Sequence, residues 1–384
     1  MIKISSCLND APCAEQDTLP VVPRLFETPS NPAKRASAWF RGSVLGLLAV
    51  LLASTTTLAV HSLRLETQLD AEEHRVSGLV DWLAQTQRSF ERLDAIETHM
   101  GATRRVIDTA AESIVFLQGS YGFVEPESGN PLRYLGYAPD GQPVRNPAGL
   151  PYVTLEGDGP IVEKIFTGTA FVASRKGLLM TNRHVASPWE FDDDAKALIA
   201  QGLTPAVHRF IGYLADVKES FDVVLLVASD EADVAILQGE GLAGRIKPLT
   251  LSDVPARPGD DVIVLGYPTG IRALLARSDE SFVDAITSQD DADVWTVVKQ
   301  LSEAGRVRPL ATRGIVGQVS PVAVVYDAAT TSGGSGGPVL DLNGKVVAIN
   351  SAVLTDFTGA NLGIPAGYAR TLLMASAQEG NTDD

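Results

Sequence analysis

Hydrophobic and polar residues follow four successive patterns along the chain. Residues 1–42 are rich in proline and small polar groups and show no apolar period, which predicts a tail without a fixed fold. Residues 43–60 carry no charge over about 18 positions, near the lower limit for a helix that spans a bilayer. Residues 61–110 repeat apolar side chains every three or four positions, as a helix with one buried face does. Residues 111–384 change to short β-branched runs.

The apolar run 43–60 predicts a single membrane anchor. Lys34, Arg35 and Arg41 precede it, and such a basic flank stays in the cytoplasm. Everything after His61 is therefore expected on the far side of the membrane, in the periplasm of a bacterial cell. A cleaved signal peptide is the competing interpretation, which the long polar leader and the lack of a clear small-x-small cleavage site disfavour. Polar neighbours on both sides argue against a buried core helix.

The segment 61–110 predicts a helical stalk. Its apolar stripe consists of Leu69, Val76, Leu79, Leu83, Phe90, Leu93 and Met100. Because Glu72, Thr86 and Glu97 interrupt the stripe, two interpretations fit it about equally well. The stalk either forms a coiled coil that joins copies of the chain into a homo-oligomer, or packs on the domain that follows.

The last segment predicts an all-β sandwich or barrel. β-branched runs at 223–228, 262–267 and 322–326 are separated by Gly, Pro, Asn and Asp. In the sequence DLNGKVVAIN, Asn343 and Gly344 are expected to take positive φ angles in a two-residue hairpin turn.

Helical patterns at 193–201 and 291–304 are expected to be insertions between the strands.

The charge and the cysteine content exclude some classes of partner and site. A net charge of -16 disfavours stable binding to nucleic acid or to an anionic lipid surface, because both repel an acidic protein. Both cysteines, Cys7 and Cys13, precede the anchor, so no later disulfide or cysteine-based metal site is expected.

The sequence TSGGSGGP, at 331–338, is the sharpest chemical signal. Ser335 stands among four glycines just before a strand pattern, so the backbone around it can turn tightly. An acyl-transfer enzyme needs this freedom, because amides beside the nucleophile must converge on the oxyanion. Gly333 and Ser335 are the candidate donors. A flexible linker is the simpler interpretation of a Gly/Ser run, but this run lies between two strand patterns.

A serine nucleophile needs a base, which is usually a histidine. Three of the five histidines, His61, His74 and His99, fall at the anchor edge or in the stalk. His184 directly follows a strand pattern, whereas His208 lies in a stretch that looks helical and exposed. His184 is therefore the candidate base.

The base in turn needs a carboxylate that fixes its tautomer. Asp233 precedes the apolar run 234–237, which would place its side chain at the rim of the core. Asp222 and Asp230 are the alternatives, and a solvated turn is the simpler interpretation of all three.

These segments resemble the chymotrypsin-like serine peptidases, and within them the HtrA/DegP-type branch. The resemblance spans about 166–365 and rests on GTAFVASRKGLLMTNRHV, SDEADVAIL, VIVLGYPTG, GIVGQVS and GGSGGPVLDLNGKVVAINSAV. It implies two antiparallel six-stranded β-barrels with His184 and Asp233 in the first and Ser335 in the second.

By the same resemblance, Asn350, Ser351 and Ala352 would form the edge strand that binds substrate.

The chain departs from the family pattern at two positions. Gly334 stands where digestive relatives carry an aspartate, and Ala329 stands where an aspartate would suit cleavage after Lys or Arg. The chain as given ends about twenty residues after the resemblance, so no PDZ domain is expected.

The residues and the resemblance together predict a serine endopeptidase that acts on protein or peptide substrates and needs no metal or organic cofactor. A catalytically silent or gated relative that binds unfolded protein segments, as a scaffold or chaperone, is the alternative from another class. An esterase fits less well, because a strand rather than a helix follows the serine.

Overall fold

The computed structural model describes residues 32–139, 141–147, 149, 151–288, 293–353 and 359–379. Most of the predicted tail, with Cys7 and Cys13, lies outside the described residues. The chain divides into two compact units, Met1–Phe90 and Glu91–Asp384.

Helix α1, Pro32–Ala110, begins inside the segment predicted as a tail and runs through the predicted anchor and stalk. Its stretch Trp39–Arg92 is long and apolar enough to cross a membrane by length and composition. The apolar side chains in this stretch are open to the surroundings, with Leu45 68% and Leu58 71% exposed.

The second unit is built mainly from short strands. In chain order these are β1 (Ile114–Val124), β2 (Arg133–Tyr134), β3 (Val153–Thr154), β4 (Lys164–Val172), β5 (Leu178–Thr181), β6 (Thr204–Leu214), β7 (Phe221–Ala228), β8 (Ala235–Gly239), β9 (Thr250–Leu251), β10 (Asp261–Gly266), β11 (Leu310–Val319), β12 (Val324–Tyr326), β13 (Pro338–Leu340), β14 (Lys345–Val353) and β15 (Asn361–Pro365). The helices after α1 are α2 (Arg183–Ala186), α3 (Asp193–Ala200), α4 (Ile271–Ala276), α5 (Glu280–Thr287), α6 (Val294–Glu303) and α7 (Ala366–Glu379).

The strands form two closed antiparallel barrels. The first has the order β1-β4-β5-β8-β7-β6, and it closes because β1 pairs with both β4 and β6. The second has the order β13-β10-β11-β12-β15-β14 and closes through the pairing of β13 with β14. Strand β9 extends this barrel by pairing parallel to β14. The prediction of two six-stranded barrels is confirmed.

Alternation of side chains along the strands explains how the barrels are filled. Val115 and Leu117 of β1 point into the core of the first barrel. Ile114 and Phe116, on the opposite face, join a larger apolar cluster that takes residues from both barrels. A strand that is buried on both faces carries few polar residues, and this is the reason for the continuous run IVFL in β1.

Both predicted helical insertions are present, as α3 and α6. The second insertion is larger than predicted, because α4 and α5 precede α6 between β10 and β11. Two local predictions were wrong. His208 lies in β6 rather than in a helix, because its segment pairs with β1 over most of that strand's length. The β13–β14 connection holds four residues, and only Gly344, not Asn343, has a positive φ angle, at 76°.

Candidate active site

His184 and Asp233 meet because their two strands are neighbours. His184 lies on the one-turn helix α2 just after β5, and Asp233 lies two residues before β8. The pairing of Thr181 with Ala235 brings these two strand ends together. The Nδ1 atom of His184 is 2.7 Å from Oδ2 of Asp233, and the backbone N–H of His184 donates to Oδ1 at 3.0 Å. The carboxylate therefore fixes both the ring and the backbone of the histidine.

The hydrogen bonds to Asp233 outweigh its burial. Burial alone would raise the pKa of this carboxyl, but hydrogen bonds from His184 and Ser351 hold the pKa below its ordinary value. Asp233 therefore stays ionised at neutral pH. An ionised carboxylate in this position can stabilise a positive charge on the neighbouring imidazole.

Ser335 reaches the same place from the second barrel. Its hydroxyl donates to the backbone carbonyl oxygen of Ser351 at 2.9 Å, and the hydroxyl of Ser351 donates to Oδ2 of Asp233 at 2.6 Å. The β14–β15 ladder shifts register at Ser351, so its carbonyl oxygen is available to Ser335. Among the described residues no hydrogen bond joins Ser335 to His184, and Ser351 connects the serine to the Asp–His pair.

The backbone around Ser335 leaves two N–H groups unused. In the segment 333–337, Gly334 donates to Thr331, Gly336 to Asn350 and Gly337 to Gly334. The N–H groups of Gly333 and Ser335 have no acceptor within the part of the chain that the structure describes. Two unpaired amides on either side of one residue, beside a serine, have the pattern of an oxyanion-binding site.

Comparison with known proteins agrees with this geometry. Residues 168–349 match the family model of the trypsin-like peptidase domain. This part of the chain is a trypsin-like peptidase domain. It contains the segments of all three predicted triad residues, so the predicted chymotrypsin-like resemblance is confirmed.

Curated relatives are similar to this chain over only part of their own length. The serine protease PepD of Mycobacterium tuberculosis is 27% identical over 191 residues, which cover 49% of this chain and 34% of that protein. The periplasmic pH-dependent serine endoprotease DegQ of Escherichia coli is 26% identical over 214 residues, 55% of this chain and 36% of that protein. The chain thus matches about a third of the length of these curated HtrA/DegP-type relatives.

Solved structures include the Rv3671c protease of Mycobacterium tuberculosis in its active form. It has 20% sequence identity and a TM-score of 0.39, and the match covers 68% of this chain and 79% of that chain.

In the trypsin-like domain, the structure separates Asp233 from the two other candidate carboxylates. Asp230 is 95% exposed at its side chain and forms an ion pair with Arg183 at 2.8 Å. Asp222 is exposed on β7. Only Asp233, of these three, contacts His184.

Three further residues of the trypsin-like domain contact the site, and sequence reasoning did not assign them these contacts. Asn182 is fully buried, and its Nδ2 donates to the backbone oxygen of Asp233 at 2.7 Å. Phe191 packs edge-on against the His184 ring, with ring centroids 5.9 Å apart. Ser351 was expected only on the substrate-binding edge, yet its side chain contacts Asp233. Nothing in the sequence marks these contacts, because each depends on how strands and loops meet.

Proposed function

We propose that the protein is a membrane-anchored serine endopeptidase with Ser335 as nucleophile, His184 as base and Asp233 as the carboxylate that orients it. The observation that carries this proposal is the pair of unused amides at Gly333 and Ser335, beside a serine connected to an Asp–His pair. A serine with only a structural role would need neither the two unpaired amides nor the neighbouring Asp–His pair.

The resting arrangement requires one change before reaction. The Ser335 hydroxyl donates to Ser351, so rotation of the side chain must bring it to Nε2 of His184. Apo enzymes often show such loose catalytic contacts. His184 then accepts the hydroxyl proton while Ser335 Oγ attacks the peptide carbonyl, and Asp233 stabilises the imidazolium.

The amides of Gly333 and Ser335 receive the negative charge that develops on the carbonyl oxygen. Return of the proton from His184 to the leaving amine yields an acyl-enzyme on Ser335. Water, deprotonated by His184, hydrolyses this ester and restores the free serine. The end of β14 beyond its pairing with β13, with Ser351 and Ala352, would align the substrate backbone beside the nucleophile. The substrates would be proteins or peptides, the class on which the similar endoproteases act.

A fluorophosphonate probe tests whether the serine is activated. We expect the full chain in detergent micelles to be labelled on Ser335, since the probe reacts only with a serine that has a functioning base and oxyanion site. Mass spectrometry of the labelled peptide locates the adduct, and Ser335→Ala serves as the control. A folded wild-type chain that takes no label on Ser335 would support the scaffold or chaperone alternative, and binding to an unfolded protein would then be measured.

We further propose that α1 anchors the peptidase domain outside the cytoplasm. The apolar stretch within Trp39–Arg92 and the basic flank before it support this topology, as does the periplasmic location stated in the name of DegQ. The stalk part of α1 would join copies of the chain if its stripe forms a coiled coil.

Cysteine labelling in spheroplasts tests the orientation. The two natural cysteines, Cys7 and Cys13, report on the N-terminal side, and Glu127→Cys places a thiol on the exposed surface of the peptidase domain. We expect a membrane-impermeant maleimide to label the introduced cysteine in intact spheroplasts and the natural pair only after lysis. The reverse pattern would contradict the topology, and labelling of all three before lysis would contradict the anchor.

A further inference from the structure

Asn350, on β14 next to Ser351, uses every one of its polar groups inside the protein. It is 2% exposed. Its Nδ2 donates to the carbonyl oxygen of Gly334 at 2.7 Å and to Thr330 Oγ1 at 3.2 Å, and its Oδ1 accepts from the Tyr326 hydroxyl at 2.5 Å. Its backbone N–H and C=O bond to Gly337 and Gly336. No polar group of Asn350 is left for a substrate.

Gly334 has no space for a side chain because Asn350 and Thr330 occupy it. A Cβ atom added at Gly334 would lie 2.4 Å from Thr330 Oγ1 and 3.2 Å from Asn350 Nδ2. A side chain at this position therefore cannot anchor the loop that carries the nucleophile. The anchor comes instead from a neighbouring strand.

The carbonyl oxygen of Gly334 accepts from Asn350 at 2.7 Å and from the N–H of Gly337 at 3.1 Å, and the shorter bond, from Asn350, helps to fix one of the two unused amides. The peptide unit between Gly334 and Ser335 is planar and trans, so its C=O and its N–H point in opposite directions. When Asn350 holds the carbonyl oxygen of Gly334 on the interior side, the N–H of Ser335 must point away from that side. The other unused amide is held in the same way, because the N–H of Thr269 donates to the carbonyl oxygen of Ser332 at 2.6 Å.

Tyr326 and Gly334 together fix which way the Asn350 amide faces. Its ring is 1% exposed, and burial raises its pKa far above the ordinary value, so the hydroxyl keeps its proton and donates to Oδ1. The carbonyl oxygen of Gly334 can only accept, so it requires Nδ2 on its side, and the Tyr326 hydroxyl stabilises this orientation by donating to Oδ1.

We propose that Asn350 is a positioning residue that holds the Ser335 amide in the oxyanion-binding orientation, and that Tyr326 holds Asn350 in its donating orientation. The inference rests on the proposed function. It replaces direct substrate contact as the role of Asn350, and it explains why a glycine precedes the nucleophile.

Saturation kinetics of fluorophosphonate labelling test this role in the full chain. Asn350→Asp keeps the shape of the side chain but presents oxygens to Gly334, so the 334–335 peptide loses its side-chain hydrogen bond and keeps only the longer, 3.1 Å bond from the N–H of Gly337. Loss of one oxyanion donor costs about 100-fold in catalytic rate. We expect the maximal labelling rate constant to fall by about that factor, while the probe concentration that gives half the maximal rate changes less than about threefold. A purely structural role of Asn350 would not lower the maximal rate constant while leaving the half-saturating probe concentration nearly unchanged.

Asn361→Asp is the matched control. Asn361 is also a buried asparagine of the second barrel, 4% exposed, and its Nδ2 donates to the carbonyl oxygen of Ala328 at 2.7 Å. We expect a similar loss of thermal stability without the fall in labelling rate. Tyr326→Phe removes only the hydroxyl and should lower the maximal labelling rate constant by several-fold. If Asn350→Asp does not fold, this variant tests the positioning role instead.

Three results have distinct meanings. Wild-type labelling rates in Asn350→Asp, or in Tyr326→Phe if the aspartate variant is unfolded, would overturn the positioning role while leaving the proposed function intact. An equal fall in Asn361→Asp would also overturn it, since any lost amide bond in the barrel would then suffice. No Ser335-dependent label on the wild type would overturn the proposed function and this inference with it.

Discussion

Replacing Asp233 with asparagine is expected to lower kcat by about 10⁴-fold while leaving the fold in place. The carboxylate accepts three hydrogen bonds, two at Oδ2 from His184 and Ser351 and one at Oδ1 from the backbone of His184. An asparagine must turn its NH₂ toward one of these donors. If it faces the ring, His184 takes the tautomer that carries its proton on Nε2 and can no longer act as a base. If the NH₂ faces the backbone, it lies against the backbone N–H of His184, so two donors meet without an acceptor.

The measurement is the rate of peptide hydrolysis, with the fluorophosphonate labelling rate as a second readout. Asp222→Asn is the matched control, because it removes the same charge from an exposed position on β7 and should keep the wild-type rate. A kcat for Asp233→Asn within tenfold of the wild type would exclude the proposed triad.

Acid dependence gives an independent check on Asp233. Since its pKa is lowered in the folded chain, the carboxylate stabilises the fold above its unfolded pKa, about 3.9, and this contribution is lost as the pH falls through the lower, folded pKa. The unfolding free energies of the wild type and the asparagine variant should therefore differ most near neutral pH and converge in acid.

The barrels could be predicted from the sequence because their strands carry their own signal. Runs such as 223–228 and 262–267 are β-branched and bounded by turn residues, and they form β7 and β10. His208 shows where this reasoning stops. Its stretch looks helical in the sequence, and only pairing with β1 makes it a strand.

The candidate site was predictable as a set of residues but not as a network. The three triad candidates each lie in a recognisable local motif. The contacts that join them depend on pairings between distant segments. Asn350 meets Gly334 only after β13 and β14 have paired, and Ser351 meets Asp233 only when the two barrels present these residues to each other. The local pattern of apolar and polar residues contains no information about such contacts between distant segments.

Gly336 is the point at which the nucleophile loop is held most tightly against the first barrel. Its φ angle is 87°, which disfavours residues with a side chain. A Cβ atom there would lie 2.0 Å from the backbone oxygen of Thr169 and 2.2 Å from Thr181 Oγ1. Both threonines are fully buried, and Thr181 donates to that same oxygen at 2.7 Å, so neither can move aside cheaply.

Gly336→Ala is therefore expected to lower the free energy of unfolding by at least about 4 kcal/mol, within the range seen for severe core overpacking and strain. Gly241→Ala isolates the part that is due to the φ angle, since Gly241 has φ 69° in an exposed turn with open space around its Cβ position. It should cost only about 1 kcal/mol. Urea unfolding followed by tryptophan fluorescence compares the two variants. Equal losses in both would show that the loop does not press on β4, and the close fit of the nucleophile loop to the first barrel would have to be abandoned.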